Sequence, residues 1–118
     1  MQAFSPAIRP PAPLSAEDRR LVAERLAALA HPARIEILQH LAERDACCNK
    51  DVVGRMELAQ STVSQHLKVL VGAGLVRYAP ERQRSMYSLD RAALAGLSQA
   101  LDGLVDACCA APDGGCGR

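Results

Sequence analysis

The chain has 118 residues and a formal net charge of +1, enough for one domain with a modest core and too balanced to argue for a nucleic-acid partner through bulk charge. Apolar residues make up 49% and aromatics 3%, so the core must come from Leu, Val, Ile and Ala, and such helices in so short a chain point to burial shared with a second subunit. No apolar run approaches a membrane span and the opening MQAFSPAIRPPAPLS lacks a hydrophobic signal core, so a cytoplasmic protein with no membrane partner is expected.

Residues 1–14 hold Pro6, Pro10, Pro11 and Pro13 and read as a flexible arm. Ser15, answered by Asp18, is a helix-start signature for a first helix over about 16–30, with Leu21, Val22, Leu26 and Leu29 on one stripe. His31-Pro32 breaks it: Pro32 fits the first turn of a second helix, and His31 reads as a turn or capping residue rather than a ligand. That second helix, about 33–43, is expected to turn Ile35, Ile37, Leu38 and Leu41 inward. A loop from Arg44 to Asn49 follows, then a short helix at about 50–56 packing through Val52, Val53 and Met56.

The stretch LAQSTVSQHLKVLVGAGLV, Leu58 to Val76, is the most informative. Val63, Leu67 and Leu70 form one apolar stripe of a helix over about 60–72, which Gly72 and Gly74 end. Gln60, Ser61, Thr62, Ser64, Gln65, His66 and Lys68 fill the other side with hydrogen-bond donors and no acid, a surface suited to base edges and phosphate oxygens. An ordinary solvated helix face is the plain alternative. Residues 76–79 and 86–89 then alternate around a charged tip, Pro80 to Ser85, as a two-stranded hairpin. Asp90 caps a last helix over about 91–109 with a continuous stripe of Leu94, Leu97, Leu101, Leu104 and Val105. Residues 60–89 carry Lys68, Arg77, Arg82 and Arg84 against Glu81, a net +3, whereas residues 90–118 carry a net −2. A basic middle and an acidic end fit a DNA face opposed by a solvent-facing end.

Five cysteines fall into two groups, Cys47-Cys48 and Cys108-Cys109 with Cys116. Lasting disulfides are disfavoured in a cytoplasmic protein, and adjacent cysteines bridge poorly, so metal or redox chemistry is the better reading. Cys108 and Cys109 sit on the last helical turn, and the Gly-rich tail, 111–118, can fold back to bring Cys116 beside them. Three soft thiolates at one point suit a thiophilic ion such as As(III) or Sb(III), bound as a sulfur pyramid; zinc normally takes four ligands, and no His lies nearby. A tail with incidental thiols is the alternative. Lys50 beside Cys47-Cys48 would favour thiolate there.

The HPARIEILQHLAERDACCNKDVVGRM segment, the STVSQHLKVLVGAGLV unit and the basic hairpin ending in MYSL resemble the ArsR/SmtB family of bacterial winged-helix repressors over about residues 26–104. The resemblance implies a mainly α fold with a small β-hairpin: a winged helix-turn-helix over 15–110, homodimeric through its first and last helices. It also implies operator double-stranded DNA as partner and release when an inducer binds. Gln60, Ser61, Thr62, Ser64, Gln65 and His66 would then meet the major groove, with Lys68 on phosphate and Arg82 and Arg84 on the wing. Some arsenic-sensing members carry a similar late cysteine trio, which makes Cys108, Cys109 and Cys116 the main metalloid ligands. The family's other arsenic site, Cys-x-Cys-Asp, is met here by Cys48, Asn49, Lys50 and Asp51, so its second cysteine is missing and Cys47 and Cys48 are a secondary site at most. The family's interfacial zinc site needs His on the last helix, which has none.

Nothing in the sequence supports an enzyme: there is no phosphate-cradling loop, no paired His at metal spacing and no nucleophile elbow. The expectation is an arsenite- or antimonite-released repressor with no constitutive cofactor. A thiol-redox or persulfide sensor of the same fold is the nearest rival. A metalloid-binding protein or reductase with no DNA role leaves the donor-rich helix and the hairpin without a purpose.

Overall fold

The structure is a computed structural model and describes residues 13–110. Five helices and a small antiparallel sheet follow in the order α1 (Ala16–Leu29), α2 (Pro32–Ala42), β1 (Cys47–Cys48), α3 (Asn49–Gly54), α4 (Gln60–Gly72), β2 (Val76–Glu81), β3 (Arg84–Leu89) and α5 (Arg91–Cys109). Three caps set the helix starts as the sequence predicts. Ser15 Oγ accepts from the Asp18 N–H at 3.0 Å, His31 Nδ1 from Ala33 N–H at 3.1 Å, and an Asp90 carboxylate oxygen from Ala93 N–H at 3.0 Å. The Ala93 N–H, then Arg77, hold the Asp90 carboxyl below the usual carboxylate range.

The sheet is larger than the two-stranded hairpin expected from sequence. Its order is β1-β3-β2, with Cys47 opposite Tyr87 and Cys48 opposite Met86, so the segment read as a loop supplies an edge strand. The hairpin also runs to its tip: Glu81 pairs with Arg84, leaving a two-residue turn of Arg82 and Gln83. Arg82 adopts φ 59°, a conformation that favours glycine, so the turn keeps a cation at a cost of about 1 kcal/mol.

Ile37, Leu41, Val52, Val63, Leu67, Leu70 and Leu75 are fully buried and form the core where α2, α3 and α4 meet, joined by Cys47 and by Leu97 of α5. Ile35, expected inward, is exposed; it sits two residues from Ile37, nearly opposite on the helix. Of the α5 stripe, Leu97 is buried on its own chain's core, whereas Leu104 and Val105 at the far end are 45% and 47% exposed and Leu21 on α1 is 42% exposed.

The end of α4 is tied on several sides. Leu75 N–H bonds the Leu70 carbonyl and Gly74 N–H the Val71 carbonyl, a closure that needs the left-handed conformation Gly74 holds at φ 81°. Arg25 of α1 donates through Nε to the Ala73 carbonyl at 3.2 Å, and its Nη2 would stand 3.2 Å from a Cβ placed on Gly74, a tight approach. Asp90 N–H bonds the Leu75 carbonyl at 2.9 Å, attaching the start of α5 to the same point.

Candidate nucleic-acid interface and thiol positions

Burying Val63, Leu67 and Leu70 against α2 and α3 dictates which α4 side chains remain outside. Gln60, Ser61, Thr62, Gln65 and Lys68 are exposed. The other two expected contacts, Ser64 and His66, flank the buried stripe and are half-buried with partners in the chain. Ser64 Oγ accepts from Asn49 Nδ2 of α3 at 3.3 Å. His66 Nδ1 accepts from Arg34 Nε of α2 at 3.2 Å, and its ring lies 4.4 Å from that of His31. Burial, and then the neighbouring His31 and Arg34, push the His66 imidazole below its usual value, which suits an acceptor facing a guanidinium. His66 thus joins α4 to the start of α2 and leaves only its other ring nitrogen for an outside partner.

Arg82 and Arg84 are exposed at the hairpin tip, and Tyr78 and Tyr87 pair across β2 and β3 with ring centroids 5.5 Å apart. At the hairpin base Arg77 meets the Asp90 carboxylate at 3.4 Å. Two residues that the sequence does not mark as DNA contacts also shape this surface. Arg34 reaches the Ala27 and Ala28 carbonyls at the end of α1 as well as His66, and Asn49 fixes α3 to α4. Both stand inside segments singled out as informative, but a long-range bond from an exposed-type side chain leaves no periodicity to detect.

The thiols divide by environment. Cys47 and Cys48 are buried in β1, 3% and 6% exposed. Burial pushes the Cys47 thiol up, outweighing the pull of Arg44 and Arg55, so the thiolate expected beside Lys50 is not favoured at Cys47. Cys108 and Cys109 are exposed on the last turn of α5. Cys116 and the tail 111–118 lie outside the described residues, as does most of the arm 1–14. Among the described residues no three His, Cys, Asp or Glu side chains are gathered to hold a metal, and of the trio expected at the end of α5 these residues include Cys108 and Cys109. Among the described residues no helix is long and apolar enough to cross a membrane.

Residues 31–78 match the model of the bacterial regulatory protein arsR family. The chain is 38% identical over 79 residues to the HTH-type transcriptional repressor SmtB of Mycobacterium tuberculosis, an alignment covering 67% of this chain and 58% of that repressor. It is 34% identical over 74 residues to the arsenical resistance operon repressor of Bacillus subtilis, covering 63% of this chain and 70% of the relative. Its fold is also that of an ArsR-like transcriptional regulator from Rhodococcus sp. RHA1, with a TM-score of 0.70 at 22% identity over 77% of this chain and 85% of the other. The chain thus spans under two thirds of the length of the mycobacterial repressor, and each of these relatives is named as a regulator rather than an enzyme.

Proposed function

This chain belongs to the arsR family of bacterial regulatory proteins, and from that premise we propose that it is a cytoplasmic, homodimeric repressor of operator DNA released by As(III) or Sb(III). The observation that carries the DNA reading is the exposed, acid-free outer face of α4 beside a hairpin tipped with Arg82 and Arg84. In this reading Gln60, Ser61, Thr62 and Gln65 read base edges, His66 and Ser64 contribute from the flanks, and Lys68, Arg82 and Arg84 hold phosphates. Two copies joined through α1 and α5 present two such helices to two half-sites.

The division between base and phosphate contacts has separate consequences. Gln65→Ala relaxes sequence preference, and Arg84→Ala weakens every duplex alike while flattening the salt dependence by about one unit of slope. Fluorescence anisotropy with matched and scrambled duplexes at several salt concentrations checks both; a Gln65→Ala protein with unaltered preference would move base recognition away from this helix.

For the inducer, the proposed ligands are three soft thiols: Cys108 and Cys109, exposed on the last turn of α5, and Cys116, which follows in the sequence outside the described residues. The name of the Bacillus subtilis relative supports an arsenical. Capture of Cys116 would tighten the end of α5 and shift it against its partner copy, and this releases DNA only if the ion binds the free form more tightly than the bound one. Each of Cys108→Ser, Cys109→Ser and Cys116→Ser leaves operator affinity intact and blunts release by arsenite at least about ten-fold, since loss of one of three sulfurs leaves the ion under-coordinated. Titration with arsenite, antimonite, zinc and polysulfide across all five cysteine variants is the test. A full arsenite response in Cys108→Ser/Cys109→Ser with none in Cys48→Ser would transfer sensing to β1. Release by polysulfide alone would make the protein a sulfur sensor.

A further inference from the structure

An open groove of about 640 Å³ lies between the start of α3, the start of α4 and strand β3. Lys50 of α3 and Arg84 of β3 both line it, together with the neutral Asn49, Gln60 and Ser64, and no acidic residue does. Both cations are exposed, and neither is in an ion pair among the described residues. Cys48 also lines the groove while only 6% exposed. Adjacent strand residues point to opposite faces, and accordingly Cys47 belongs to the core cluster and Cys48 does not. The pairing of Cys48 with Met86 places its backbone beside Ser85 and Tyr87, which line the same groove from the hairpin. Two cations supplied by different elements, neutral donors beside them and no carboxylate in the lining make a seat for an anion. Because the groove adjoins both α4 and the hairpin tip, the anion that reaches it alongside a docked α4 is a duplex phosphate.

We infer that this groove seats a backbone phosphate of DNA between Lys50 and Arg84, and that the seated strand covers the Cys48 thiol. The inference rests on the DNA-binding reading above and adds to it a contact from α3 and a thiol whose access depends on DNA. Lys50, which the α4 and hairpin assignments omit, becomes a phosphate ligand. DNA and any substituent carried on the Cys48 sulfur then compete for one space.

The test uses the full chain and a mixed-sequence 30-base-pair duplex, since a phosphate seat does not depend on sequence. Lys50→Gln, a surface change that leaves the core untouched, weakens binding about five-fold at moderate salt and reduces the slope of log affinity against log salt by about one. Alkylation by N-ethylmaleimide, followed residue by residue by mass spectrometry, slows about ten-fold at Cys48 when saturating duplex is present, while Cys108 and Cys109 react as before. Inorganic phosphate at matched ionic strength gives no such protection; if it protects Cys48 equally, the groove is a general anion site and the inference is overturned. It is overturned too if duplex binds but neither the Lys50→Gln salt slope nor Cys48 alkylation changes, and in that outcome the repressor reading survives. If the wild-type protein binds no duplex even at low salt, the repressor reading fails first and the groove with it.

Discussion

Changing Leu104 and Val105 together to aspartate leaves the chain folded but monomeric and unable to hold its operator at concentrations where the wild type is saturated. The two side chains are nearly half exposed on α5 and contribute little to their own chain's core, so the substitutions cost little folding energy in isolation. In the proposed dimer the same residues meet a second copy, and two unpaired carboxylates buried there oppose association strongly. A monomer grips one half-site, and losing the second tethered contact reduces affinity by roughly a hundred-fold or more. Light scattering, circular dichroism and anisotropy read mass, fold and binding in turn. A double variant that remains dimeric would place the contact between copies on another face.

Leu97→Asp, two helical turns earlier on the same stripe, fails differently. Leu97 is 6% exposed and belongs to the chain's own buried core cluster. A carboxylate there has no partner, and the change removes on the order of 3–5 kcal/mol from a fold of ordinary stability. For a domain of this size that lowers the melting temperature by about 12–20 °C. Thermal unfolding followed by circular dichroism checks it; a Leu97→Asp protein that melts like the wild type would mean the start of α5 is not part of the core.

The contrast between these positions was invisible in the sequence, where Leu94 to Val105 make one unbroken stripe. Periodicity marks the face of a helix that is buried, but not whether a chain buries it against itself or against a copy. Local signals were legible because their physics is local. Ser15, His31 and Asp90 cap helices through bonds spanning two or three residues, and Val63, Leu67 and Leu70 are buried because helical spacing brings them to one side. Strand β1 was not legible: two cysteines carry no alternation, and they become a strand only by pairing with Met86 and Tyr87 far along the chain. The internal partners of two residues on the outer face of α4 were not legible for a related reason. Ser64 and His66 sit at the edges of the buried stripe, close enough to α3 and α2 to be claimed by Asn49 and Arg34.

The threefold tie at the end of α4 has a mechanical consequence. Bonds from Arg25, Leu75 and Asp90 attach residues 73–75 to α1, to the end of α4 itself and to α5, so a displacement of α1 and α5, the helices joined in the proposed dimer, enters α4 at its base. Beyond that base α4 extends as a lever: thirteen residues at 1.5 Å each give an arm of about 20 Å. A tilt of about 5° then carries the Gln60 end through about 1.7 Å, enough to take a 2.9 Å hydrogen bond out of range. A few degrees of rotation where α5 begins would therefore be sufficient to undo the proposed base contacts at the other end of the helix, without unfolding any part of it.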